Sequence, residues 1–171
     1  MANLLDTPGL LRRTWRHHRA SGAPLADFVL TSRWKNGPSV QAEGPFMISV
    51  TQYTPNYLTD IRDIWRMSED LGDQLAQIDG AAGVMTYIQP ARRRLGSISI
   101  WADDRGLTKF IVLPDHVDTM NKYRSRGLPI RSAKWWTDEY RIGSALTRGL
   151  HLLDSNRQRR IVGPRSQPGT V

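Results

Sequence analysis

Trp101 and His116 are the residues of this chain best placed to do chemistry. Trp101 closes an alternating run, Ser97-Ile98-Ser99-Ile100-Trp101, and His116 follows the helix-interrupting pair Pro114-Asp115. In an extended strand Ile98 and Ile100 point to one side while Ser97, Ser99 and Trp101 point to the other. The isoleucine side suits a dry core. The serine side carries two small hydroxyls and an indole N–H, which suits the wall of a cavity. A histidine brought to such a wall can act as a general base if a substrate proton lies within hydrogen-bond reach, or as a metal ligand through neutral imidazole. The plainer alternative is a core tryptophan and a helix-start histidine that bonds only to backbone. The serines two and four positions before Trp101 favour the cavity.

Other residues could join that wall. Gln52 ends the first strand and offers an amide. Tyr53 and Tyr87 offer phenolic hydroxyls whose faces depend on register. Trp135 and Trp136 are adjacent, so on a strand they face opposite ways. Arg92-Arg93-Arg94 reads as a solvated turn, or as a carboxylate contact at a cavity rim. His17-His18 sits between Arg16 and Arg19 and makes a poor cation site, and His151 reads as a surface or packing residue. No nucleophile elbow occurs, and Gly80-Ala81-Ala82-Gly83 stops a helix rather than cradling a phosphate.

The elements that must position these residues follow from periodicity. Phe46 to Tyr53 reads as a strand, 57–78 as a helix, and 84–89 and 95–101 as strands joined by the basic turn. The helix stripe over 57–78 is Leu58, Ile61, Ile64, Trp65, Ser68, Leu71, Leu75 and Ile78, with Asp60 among the water-facing positions. A second helix over 103–124, capped by Asp103, is interrupted at Pro114. A fourth strand spans 132–140, and a closing helix 143–153. The order β-α-β-β-α-β predicts an α+β, ferredoxin-like sandwich. Its sheet carries helices on one face only, so a second subunit is expected on the other, giving a homodimer whose interior the serine face lines. Residues 1–45 read as an N-terminal extension packed on the domain, with a basic helix over 10–20 and an apolar anchor at Phe28-Val29-Leu30. Residues 46–153 form the domain, and 154–171 a basic, flexible tail.

Bulk properties bound the function. The 171 residues carry a net charge of +8, with 39% hydrophobic residues and no cysteine. Absence of cysteine excludes disulfides, thiolate catalysis and Cys-ligated metals. No apolar run reaches membrane-spanning length and no signal pattern opens the chain, so the expected location is cytoplasmic. Much of the positive excess sits near the ends, at Arg12, Arg13, Arg16 and Arg19 and at Arg157, Arg159, Arg160 and Arg165. Basic ends are weak evidence for a nucleic-acid partner, and none is expected.

The segment Ser97-Ile98-Ser99-Ile100-Trp101-Ala102-Asp103, with Phe110 and Pro114-Asp115-His116, resembles the dimeric α+β-barrel monooxygenase-like superfamily over about residues 46–140. That group includes antibiotic-biosynthesis, haem-degrading and spheroidene-monooxygenase-like proteins. The resemblance implies a dimeric α+β barrel and an oxidoreductase acting on an apolar or aromatic small molecule. It implies that Trp101 and His116 are catalytic, that His116 would bind iron if haem is the cofactor, and that Arg94 would meet a haem propionate. Ser97, Ser99, Gln52, Tyr87, Trp135 and Trp136 would contact substrate. The asparagine of haem-degrading members has no clear counterpart; Gln52 is the nearest. Cofactor-free isomerisation or cyclisation on the same fold, and a non-catalytic ligand- or nucleic-acid-binding module, are the alternatives.

Overall fold

A computed structural model describes residues 28–75 and 77–161, with side chains as far as Ser155. The basic helix expected over 10–20, the His17-His18 pair and residues 162–171 lie outside the described residues. The elements in chain order are β1 (Leu30–Thr31), β2 (Lys35–Asn36), β3 (Phe46–Gln52), α1 (Thr59–Leu75), β4 (Ala81–Gln89), β5 (Arg94–Trp101), α2 (Asp104–Ile111), α3 (Pro114–Tyr123), β6 (Arg131–Thr137) and α4 (Ile142–Ile161). The six strands form one antiparallel sheet in the order β1-β4-β5-β3-β6, with β2 also pairing β4. The connections β3-α1-β4 and β5-α2-α3-β6 each step over one strand, which makes the split βαβ, ferredoxin-like α+β arrangement. The sheet is open, with β6 at one edge.

Local chemistry explains the helix breaks. Asp103 caps α2, its carboxylate accepting from the Gly106 N–H at 2.8 Å. Pro114 lacks an N–H, so α2 stops at Ile111 and α3 restarts with the proline in its first turn. His116 therefore sits in the first turn of α3, as the sequence predicts.

Antiparallel pairing sorts the side chains into two faces. Phe46, Ile48, Val50, Met85, Tyr87, Ile98, Ile100 and Ala133 share one apolar cluster with Ala145, Leu146 and Leu153 of α4. Val29, Trp34 and Ala42 from the N-terminal segment pack against the same cluster. Gly149 lets α4 approach closely, since a Cβ there would lie 2.4 Å from Val50. Arg92 and Arg94 both donate to the Asp154 carboxylate at 2.9 Å, tying α4 to the β4–β5 hairpin. Fully burying a side chain such as Ile98 or Ile100 stabilises the fold by about 1.5–3 kcal/mol.

Four expectations change here. The apolar face is covered by this chain's own α4 and by residues around Val29–Ala42, so an uncovered face no longer argues for a second subunit. The serine face lies beneath α1, α2 and α3 of the same chain, rather than toward a partner. The last helix runs to Ile161, past the point where the sequence predicts a flexible tail, and Asp154 and Leu153 fix its middle to the sheet. On α1, Asp60 is buried rather than water-facing. It holds Arg126 bidentately at 2.7 and 3.0 Å, and that hydrogen bonding keeps its carboxyl below the usual carboxylate range.

Candidate functional site

Between the sheet and α1–α3 lies a cavity of about 300 Å³. Its floor is written by strand register. Two rows run across three strands: Ser132–Thr51–Ser97 and Lys134–Ser49–Ser99. All six side chains line the cavity. Period-two placement puts these five hydroxyls and one ammonium on a single face. The Thr51 and Ser97 hydroxyls are bonded at 3.1 Å, and Ser99 Oγ accepts the Trp101 indole N–H at 2.8 Å.

The roof is largely apolar. Ile64, Ser68 and Leu71 come from α1, and Leu107, Phe110 and Ile111 from α2. Helix α3 presents His116, Thr119, Met120 and Tyr123, spaced three, four and seven residues apart so that they share one helical face. Among the described residues no Asp or Glu lines the cavity. Its open side is marked by the exposed lining residues, Ile130, Ser132 and Lys134 at β6 and Ile111 at the end of α2.

Two polar atoms of that wall are buried without a hydrogen-bond partner: Nδ1 of His116 and the hydroxyl of Tyr123. Such an atom costs about 1–3 kcal/mol when left unmade. Burial pushes the His116 ring below its ordinary pKa, opposed by a backbone hydrogen bond with Ile111, so the ring is held neutral. A neutral imidazole with a free nitrogen at a cavity wall is chemically a base.

No family model matches this chain, and no curated protein matches it. Solved structures do. A candidate monooxygenase from Lactobacillus acidophilus NCFM aligns with a TM-score of 0.48 and 10% identity over 62% of this chain. This chain spans about half of that protein's length, 47%. Rv0793 from Mycobacterium tuberculosis aligns with a TM-score of 0.48 and 11% identity, over 56% of this chain and 97% of that one. SnoaB from Streptomyces nogalater, a cofactor-independent oxygenase, aligns with a TM-score of 0.47 and 9% identity, over 57% of this chain and 97% of its own. The fold described above rests on its strand order and crossovers.

The residues singled out in the sequence separate into two groups. His116, Ser97, Ser99 and Gln52 all line the cavity. Gln52 is nonetheless engaged, its amide donating to Gln89 at 3.4 Å and its oxygen accepting from Arg131 at 3.3 Å. Trp101 is wholly buried and bonded to Ser99, and it does not line the cavity. It backs Phe110 at 5.8 Å between ring centroids, and Phe110 in turn meets the His116 ring edge-on at 5.2 Å. Tyr87 lies on the α4 side, where its hydroxyl donates to the Thr51 carbonyl at 2.8 Å and burial raises its pKa. Gly96 makes room for that crossing, since a Cβ there would stand 3.0 Å from the Tyr87 hydroxyl. Trp135 also packs on the α4 side, beneath the Arg148 guanidinium at 5.2 Å. Trp136, opposite Met47, shares the cavity's face of the sheet but is 53% exposed outside the lining. Tyr53 lines the cavity with its hydroxyl already given to the Tyr123 carbonyl at 2.8 Å.

One residue of the haem reading is placed away from the cavity. Arg94, the residue expected to meet a propionate, is bound to Asp154 by the α4 side of the sheet. A cavity of about 300 Å³ lies at the small end of ligand sites. Among the described residues no group of three or more His, Cys, Asp or Glu could hold a metal ion.

Sequence reasoning missed Ser49, Thr51, Ser132 and Lys134 on the floor, and Ser68, Thr119 and Tyr123 on the roof. The signal was present. Ser49-Val50-Thr51 and Ser132-Ala133-Lys134 repeat the polar-apolar-polar alternation of Ser97-Ile98-Ser99, and His116, Thr119 and Tyr123 keep helical spacing.

Proposed function

We propose that this chain is a monooxygenase-like enzyme that works without haem on an apolar or aromatic small molecule held between the sheet and α1–α3. The observation that carries this reading is the pair of partnerless buried atoms, His116 Nδ1 and Tyr123 Oη, on one face of a helix above a hydroxyl floor. A ligand oxygen that bonded them would remove their cost, and apolar walls would hold its rings. The resemblance of residues 95–116 to monooxygenase-like proteins points the same way.

In this reading His116 is the general base and Trp101 a positioning residue acting through Phe110. The neutral ring takes a proton from an activated C–H, and the floor hydroxyls and Tyr123 donate to the oxygen on which the negative charge collects. The resulting carbanion reduces dioxygen directly. The balance is CH2 + O2 → C=O + H2O: one oxygen atom enters the product, the other leaves as water, and no outside reductant is needed. All the residues used come from one chain.

The test is oxygen uptake with anthrone as the probe, for wild type and His116→Ala. Uptake that falls about a hundredfold or more in the variant, with an unchanged melting curve, is the expected result. Equal uptake in both would overturn the role of His116. Conversion of a probe without oxygen uptake, still dependent on His116, would move the reading to the isomerase or cyclase alternative. A Soret shift on adding haem that His116→Ala loses would overturn the haem-free reading.

A further inference from the structure

The cavity's electrostatics narrow the ligand further, taking it as the substrate site proposed above. Among the described residues Lys134 is the lone ammonium in the lining, and no carboxylate accompanies it there. Among the described residues it has no ion-pair partner. Elsewhere in the fold Lys35 pairs with Glu69 and Asp73, Lys122 with Asp63, Arg126 with Asp60, and Arg92 and Arg94 with Asp154. Register places Lys134 opposite Ser49 on edge strand β6, with Ser132 and Trp136 as its neighbours on the same face. Exposed Ile130 and Ile111 flank the opening. The opening thus combines one free positive charge, a hydroxyl and apolar surface, while the partnerless His116 nitrogen and Tyr123 hydroxyl belong to the α3 wall.

We propose that Lys134 is a specificity-determining residue that anchors the acidic group of an aromatic carboxylate at the mouth of the cavity. The rings lie inward against Phe110, Met120 and Leu71. A single ammonium with hydroxyl donors matches a singly charged carboxylate. A phosphate dianion would call for more cations or a set of backbone N–H groups. The exposed position makes the anchor an electrostatic selector sensitive to salt rather than a buried ion pair.

The experiment measures dissociation constants for 2-naphthoate and for its uncharged isostere 2-naphthamide. At low salt the wild type binds the acid about fivefold more tightly than the amide, and added salt narrows the gap. Lys134→Gln abolishes the preference without weakening amide binding, and Lys134→Arg retains it. A wild type indifferent to the charge, a preference that survives Lys134→Gln, or binding of neither probe would overturn the proposal. Because the readout is binding, it separates from turnover. An acid preference lost in Lys134→Gln would stand even if no oxygen uptake were found, and a His116-dependent uptake would stand even if Lys134→Gln changed nothing.

Discussion

The two faces of this sheet are built from the same strands and the same alternation, yet they hold opposite contents. Along β5, Ile98 and Ile100 face α4 in a sealed apolar cluster, while Ser97 and Ser99 face α1–α3 across a cavity. The α4 side is tied by the Asp154 clamp and brought close at Gly149. The α3 side leaves His116 Nδ1 and Tyr123 Oη buried without partners. A fold optimised for stability alone would fill that space and bond those atoms. The contrast separates a face that holds the molecule together from a face that gives up stability to keep a polar cavity open.

The sharpest way to break the contrast is to truncate both faces of β5. Ile100→Ala is expected to cost about 2–5 kcal/mol in thermal or urea unfolding, because Ile100 is fully buried on the sealed side. Ser97→Ala removes one hydroxyl bonded to Thr51 on the cavity side and should cost about 1 kcal/mol or less. Equal losses would mean that the two faces do the same structural work.

A smaller effect concerns pH. Burial lowers the His116 pKa below 6.5, so the unfolded chain binds this proton more readily than the folded one. Stability therefore falls as the solution is acidified below pH 6.5 toward the folded value, by at most about 1.4 kcal/mol per pH unit from this group. Above pH 6.5 the group contributes no slope. The acid limb of kcat/KM should likewise lie below pH 6.5. His116→Ala should flatten the stability profile in that window, and an unchanged profile would show that His116 is not depressed.

Much of this arrangement is legible in the sequence where alternation or a breaker residue dictates it. The Ser-Ile-Ser-Ile run assigns a dry and a polar face, Asp103 caps α2, and Pro114 sets His116 in the first turn of α3. What was not legible depends on contacts distant along the chain. Nothing local to Arg94 announces Asp154, and nothing in Val29 or Leu146 says which face of the sheet each will cover. Helices were expected over the apolar face alone, so the serine face was turned toward a partner. Instead the three central helices roof the serines, and α4 with the N-terminal segment closes the isoleucine side. The serine neighbours of Trp101 point to a wall residue, but its indole N–H is spent on one of them.

In the proposed function the polar atoms of the α3 wall serve a ligand and not the fold. The measurement that tests it most directly pairs stability with turnover in the double variant His116→Leu, Tyr123→Phe. Both partnerless polar atoms are then gone while the volume is largely kept. The expected result is a melting temperature equal to or above that of the wild type at neutral pH, together with loss of oxygen uptake on anthrone. A melting temperature that drops while uptake persists would contradict it, because those atoms would then belong to the structure and the chemistry would lie elsewhere.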